Sequence, residues 1–411
     1  MKRVRPLFLT LLTVAMAGCA EAPVEPPDQT EAAFAKGSKG KPGGGGGEAS
    51  IVFHYVEAGD YRGSGALTCG LDDAGKAYCW GYNPNGWLGI GSTRKSAVKT
   101  PQPVLGGLTF SDLTVASKHI CAIDAGALAW CWGVNAYGQV GAGSDETVVS
   151  EPAAVVGGLA FSDLSAGQFH TCGVGPDGYA YCWGWNYSGQ LGDGTTTDRN
   201  VPVAVLGGLQ FAKIFTGGGN TCGILETGET YCWGMNTQGQ LGIGTVSGPH
   251  ASPVLIPGGR RFESLAISDY QSKCGLTSDA DPLGAGGIVC WGDTENGGSP
   301  IPTEIDPGAA AGDLPFRALV GRFCAIGASD QAYCWGENDY GQIGDGEQSA
   351  GSAVPSAVGS PGQFESIGGK GVHTCGIGLD GYAYCWGWNT YGELGDGTNK
   401  AKNSPVRVDG Q

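Results

Sequence analysis

The chain has 411 residues, 41% of them hydrophobic and only 15% charged, which excludes a disordered polyelectrolyte and supplies apolar side chains for a large core. Lys and Arg number 23 against 39 Asp and Glu, a formal charge of −16. That sign argues against a nucleic-acid partner, whose phosphates demand clustered cations.

The first predicted element is an address. Lys2, Arg3 and Arg5 precede an apolar run at residues 7–17, too short to cross a bilayer. The run ends in Met16-Ala17-Gly18-Cys19, which resembles the lipobox of bacterial lipoproteins. The resemblance implies a signal peptide at 1–18, lipid on Cys19, and an envelope protein held on the periplasmic or cell-surface side. Ordinary signal cleavage, with Cys19 unmodified, is the alternative. Residues 19–50 follow, with "APVEPPDQTE" and "GSKGKPGGGGGE", and have the composition of a flexible spacer. Its reach is on the order of 30 Å. A folded body is therefore expected over 51–411.

From there the chain repeats itself. "HTCGVGPDGYAYCWGWN" at 170–186 returns as "HTCGIGLDGYAYCWGWN" at 373–389. Of fifteen cysteines, Cys19 accounts for the odd one. The others form seven pairs: Cys69/Cys79, Cys121/Cys131, Cys172/Cys182, Cys222/Cys232, Cys274/Cys290, Cys324/Cys334 and Cys375/Cys385. Each second cysteine is followed by Trp-Gly, and the copies recur about every 51 residues.

Within a copy the segments are short, aromatic-rich and punctuated by Gly, Asp and Pro, a strand pattern. "TCGV" and "YAYCWG" flank the turn "GPDG" and predict a hairpin. Reflection about Asp177 places Cys172 on Cys182, directly opposed on antiparallel strands and within disulfide reach. The fifth pair is sixteen apart because "TSDADPLGAGG" lengthens its hairpin. Zinc is the competing reading, but structural zinc favours Cys-x(2–4)-Cys clusters, and export favours disulfides.

The copies resemble the regulator of chromosome condensation repeat, through phrases such as "GQFHTCGVGPDGYAYCWGWNYSGQLGDGT" at 167–195 and "GGGNTCGILETGETYCWGMNTQGQLGIGT" at 217–245. The resemblance covers 51–411 and implies a seven-bladed propeller. Seven repeats of four strand-like segments, without helical periodicity, point separately to the same all-β fold of four-stranded antiparallel blades. Copies end in segments such as "SPVLI" (252–256), followed by a Phe. The body begins at "IVFHYVEAG" and ends with "SPVRV" (404–408). The C-terminal strand is therefore expected to join the first blade and close the ring.

Trp80, Trp132, Trp183, Trp233, Trp291, Trp335 and Trp386 are expected in the core. His119, His170 and His373 share one repeat position, filled elsewhere by Leu67, Asn220, Ser272 and Arg322, which suits packing or hydrogen bonding better than catalysis. His54 and His250 are isolated, and no hydrolase elbow, zinc helix or P-loop is present. No catalytic residue, metal or cofactor is assigned. Asp193, Asp345 and Asp396 recur in "GDG" segments, as turn residues or as calcium ligands.

The loops after Trp-Gly carry Trp87, Tyr137, Trp185, Tyr187, Tyr340, Trp388 and Tyr391. These either form a partner-binding face at one end of the ring or pack between blades. The fifth copy, "WGDTENGGSP", lacks the Gly-Gln-Leu-Gly loop of most others and is either weak or specialised. The expected function is a monomeric protein-binding module with an unknown protein partner, no nucleic acid, and membrane attachment through lipid only. The family resemblance also admits an inhibitor reading, after its secreted β-lactamase inhibitor. Its nuclear nucleotide-exchange role for a small GTPase is opposed by export and acidic charge. A glycan-active enzyme has no motif behind it.

Overall fold

Each copy of the repeat is one four-stranded antiparallel sheet. The computed structural model describes residues 50–59, 66–92, 96–267, 272–292, 298–321, 323–369 and 371–411. The expected signal peptide, Cys19 and the expected tether through residue 49 lie outside the described residues. Seven sheets follow one another as blades one to seven, at 53–103, 110–154, 163–204, 211–255, 262–304, 318–357 and 364–407. Among the described residues there is no α-helix, only two single turns of 3-10 helix at Pro84–Gly86 and Gly308–Ala310. No helix among them is long and apolar enough to cross a membrane.

The second and third strands are the hairpin that carries the cysteines. In blade three they are His170–Val174 and Ala180–Gly184, closed by a Gly175 N–H to Tyr179 carbonyl bond of 2.9 Å. Cys172 is paired directly with Cys182 in the ladder. The same register recurs in every blade, and it produces seven disulfides with Cα separations of 4.0–4.1 Å. They join Cys69 to Cys79, Cys121 to Cys131, Cys172 to Cys182 and Cys222 to Cys232. The remaining three join Cys274 to Cys290, Cys324 to Cys334 and Cys375 to Cys385. The longer fifth hairpin keeps Cys274 opposite Cys290.

These cysteines brace the blades, and Cys274 and Cys290 of the fifth also line a cavity, where Cys290 keeps 7% exposure. Cys79, Cys131 and Cys232 have no exposed surface and lie in the apolar clusters of blades one, two and four, so neither a partner nor a ligand can reach them. Cys69, Cys121, Cys222, Cys375 and Cys385 are equally enclosed, and Cys324 and Cys334 are buried as well. The reason is register. A cysteine pair at the middle of a hairpin faces the same side as the packed layer between neighbouring blades.

The first strands of neighbouring blades lie against one another and form the inner ring. The fourth strands are the outer edges, and each carries a proline: Pro101, Pro152, Pro202, Pro253, Pro302, Pro355 and Pro405. Proline offers no N–H to an incoming strand, so these edges resist further pairing. At each blade corner the Trp after the second cysteine is buried. Six of the seven have no accessible surface, and each of those six lies 5.5–6.0 Å from the Phe that opens its own blade.

The ring does not close by strand exchange. Lys402–Arg407 pairs with the third strand of its own blade seven, and blade one is completed by Ala97–Pro103. The repeat therefore starts at the Phe, so Phe53 and Val408 already bound whole blades. Closure comes from packing of blade one on blade seven, helped by Ile51 N–H to Gly410 carbonyl at 2.7 Å and Thr68 to His373 at 2.7 Å.

Candidate functional site

The connections between first and second strands and between third and fourth strands emerge at one end of the ring. The long third-to-fourth loop owes its shape to one residue, the Asn three positions after the blade Trp. In blade four, Asn236 accepts at Oδ1 from the Leu241 N–H (3.0 Å) and donates from Nδ2 to the Thr245 carbonyl (2.9 Å). Asn83, Asn135, Asn186, Asn338 and Asn389 hold their loops in the same way, each bonded to the N–H five residues on at 3.0 Å. These Asn are buried, as are the aliphatic residues they fix: Leu88, Val140, Leu191, Leu241, Ile343 and Leu394.

The folded loop plugs into the next blade. Trp183, Trp233, Trp291, Trp386 and Trp80 donate their indole N–H to carbonyls of Gln139, Gln190, Gln240, Gln342 and Glu393 in the preceding blade's loop, at 2.9–3.1 Å. Thr171, Thr221, Thr374 and Thr68 donate to four of the same carbonyls at 2.7–3.1 Å. Glycine is required where loop meets strand: a Cβ on Gly189 would lie 2.6 Å from the Ala251 Cα of the next blade. The repeated histidines add a further stitch, His119 to Thr171 (2.8 Å) and His170 to Thr221 (2.9 Å). Burial pushes His170 and His373 down to about 3, so both are neutral.

Two family models for the Regulator of chromosome condensation (RCC1) repeat match the chain. One covers residues 128–174, 177–224, 227–274 and 380–411, the other 161–190, 211–240 and 365–393. The chain is an RCC1-repeat propeller. The Ultraviolet-B receptor UVR8 of Arabidopsis thaliana is 27% identical over 353 residues, 84% of this chain and 57% of its own length. The E3 ubiquitin-protein ligase HERC2 of Homo sapiens is 27% identical over 81% of this chain, but that is 6% of HERC2. The chain thus spans just over half of one relative and a small part of the other. Among solved structures, human WBSCR16 superposes with a TM-score of 0.69 at 20% identity, covering 81% of this chain and 93% of its own. The ectodomain of the Arabidopsis thaliana receptor kinase ACR4 gives 0.50 at 19% identity, over 89% and 100%. These likenesses establish the fold.

In this RCC1-repeat propeller the aromatic loop residues divide. Tyr187 is 73% exposed and stacks flat on Trp185, 6.1 Å away at 6°. Tyr137 and Tyr340 are also exposed, yet each touches the next blade: Tyr137 with Trp185 at 6.1 Å, Tyr340 with Trp388 at 4.5 Å. Tyr391 packs on Tyr82 across the closing junction at 4.4 Å. Trp185, Trp388 and Tyr391 are half-buried. These rings bridge blades and still show an edge to solvent. Trp87 is different. It is buried against Tyr82 at 5.5 Å with the Lys118 ammonium over its ring, because it stands where the other loops place the inward Gln or Glu.

The "GDG" aspartates serve their own loops. Asp193 accepts from Thr195 N–H and Oγ1 and from the Arg199 guanidinium. Burial alone would raise its carboxyl, but bonds from Thr195, Arg199 and Asn186 hold it below its usual value. Asp396 repeats the arrangement with Thr398 and Lys402. Among the described residues no group of three His, Cys, Asp or Glu converges as a metal site. The loop Asn escaped sequence reasoning, although its signal, Trp-Gly-x-Asn in six copies, was present; the fifth copy has Thr294 there.

Proposed function

We propose that this chain is an exported, lipid-tethered propeller that binds a protein partner across its loop end. The observation that carries the reading is the set of preorganised aromatic edges there. Tyr137 and Tyr340 have their backbone fixed by the Gln two residues on, at 2.9 Å each, and Tyr187 is braced by the Trp185 ring. Rigid aromatic surface gives contact area at low entropic cost, the usual chemistry of an interface anchor. Export is supported by the lipobox-like Met16–Cys19 segment and by seven disulfides, which persist in oxidising compartments. His170 and His373 are neutral and buried, and Asp193 and Asp396 are bonded within their own loops.

The test is a pull-down from the envelope with the purified propeller and with a Tyr187→Ala/Tyr340→Ala variant. Each truncation is expected to weaken capture of a specific protein about tenfold or more, with thermal stability little changed. Assay of the captured protein in the presence of excess propeller then tells an inhibitor from a passive binder. Equal capture by both proteins contradicts the reading. In parallel, Cys19→Ser is expected to move the protein from membrane to soluble fractions.

A further inference from the structure

The fifth copy is too short in sequence for the loop that plugs the other six junctions. Its third strand ends at Gly292 and its fourth begins at Ser299, leaving six residues, where the fourth copy uses fifteen between Gly234 and His250. Those six, "DTENGG", contain no aliphatic side chain. At the junction they would have served lies a cavity of about 260 Å³ between blades five and six. Phe323, Trp335, Ile305 and Val354 form its apolar wall, and Thr303, Glu304 and Asp306 stand at its exposed mouth.

Blade six is altered to match. Phe323 stands where Thr68, Thr171, Thr221 and Thr374 bond the plugging carbonyl, a position filled by Ile120 and Lys273 in blades two and five. It takes a φ of 132°, a conformation rare for a residue with a side chain. It stacks on Trp335 at 6.0 Å and 26°. Trp335 retains 8% exposure, while the other six blade tryptophans have none. Both sides of the junction thus depart from the repeat in the same place, and the result is an apolar socket.

We infer that this socket receives a turn of a partner protein that presents one aliphatic side chain, in the manner of the Gly-Gln-Leu-Gly loop at the other junctions. The molecule itself supplies the template: six times over, an equivalent space is filled by a buried Leu, Val or Ile on a tight turn. The cavity is smaller than the roughly 300–1,000 Å³ of small-molecule sites, which suits a single anchoring side chain. Glu304 and Asp306 favour a basic residue beside it. The inference rests on the loop-end binding proposed above and names the chemistry of the contact.

The probe is a cyclised peptide of the fourth copy's loop, residues 236–244, with one added lysine, titrated by NMR against the whole propeller. It is expected to bind at least tenfold more tightly than the same peptide with Leu241→Ala. Ala353→Trp, at the exposed lip of the socket, is expected to abolish binding without lowering the melting temperature. Glu226→Ala, exposed on a hairpin turn at the opposite end, is expected to leave it unchanged. Equal affinity of the two peptides, binding that survives Ala353→Trp, or no binding because the chain's own residues close the socket, each overturns the inference. Loss of the envelope partner on Tyr187→Ala alongside any of these results leaves the loop-end reading standing and removes only the socket.

Discussion

Blades four and five are locked together; blades five and six are merely packed. At the first junction Leu241 is fully buried, the Gln240 carbonyl takes the Trp291 indole N–H at 3.1 Å, and Gly239 lies against Pro300. At the second junction the short turn at Gly308–Ala310 lies against the fourth strand of blade six and buries Ala310, but no loop carrying a buried Leu, Val or Ile enters among the described residues. The blades are held by the inner strands and an apolar cluster of Leu276, Ile288, Phe316, Leu319, Phe323 and Trp335. The ring closes in both cases. The contrast teaches that inner-strand packing suffices for architecture, while the loop plug adds local stability that one junction has given up in exchange for open apolar surface.

The largest expected effect breaks this comparison at its centre. Trp183→Ala empties a filled junction and should cost about 3–5 kcal/mol, whereas Trp335→Ala, already facing a cavity, should cost about half as much. Denaturant midpoints of the two variants measure the difference. Equal losses would mean that the fifth and sixth blades are as tightly joined as the rest.

Acid sharpens it next. His170 and His373 have pKa values near 3 in the fold, below the usual 6.5. Their contribution is whole above pH 6.5 and is lost as pH falls toward 3, because the unfolded chain takes up the protons first. At pH 4 the loss is on the order of 3 kcal/mol for each histidine. Stability measured between pH 7 and pH 4 should therefore fall, and His170→Asn, which copies Asn220 of blade four, should flatten the slope.

The smallest effect separates the closing junction from its neighbours. Glu393 fills the place taken by Gln139, Gln190, Gln240 and Gln342, and burial pushes its carboxyl above the usual range. A raised carboxyl contributes stability at low pH that is lost as pH rises through its folded value. Glu393→Gln should thus stabilise the protein more at pH 8 than at pH 4. A thermal melt at each pH reads the outcome.

Much of this was legible in the sequence. The Cys-x(9)-Cys-Trp-Gly period carries the hairpin, the disulfide and the buried Trp together, because a ten-residue reflection fixes all three. The frame of the repeat was not legible: Pro-x-x-Val reads equally as the start or end of a blade until the ladder shows Cys385 opposite Val406. Trp87 misled because an aromatic in a loop looks exposed, and only the column shared with Gln139 and Gln190 shows that it points inward. The deviance of the fifth copy was plain, but the socket was not, since it depends on what the next blade places there.

The most direct measurement of the central claim is photo-crosslinking in the cells that make the protein. One variant carries a photoreactive residue at Ala353, on the loop end; the other carries it at Thr227, exposed on the opposite end. The account predicts a discrete crosslinked protein from position 353 and none from 227, with the attached partner peptide carrying an aliphatic residue in a turn. Crosslinking from 227 alone, or the same products from both positions, would contradict it.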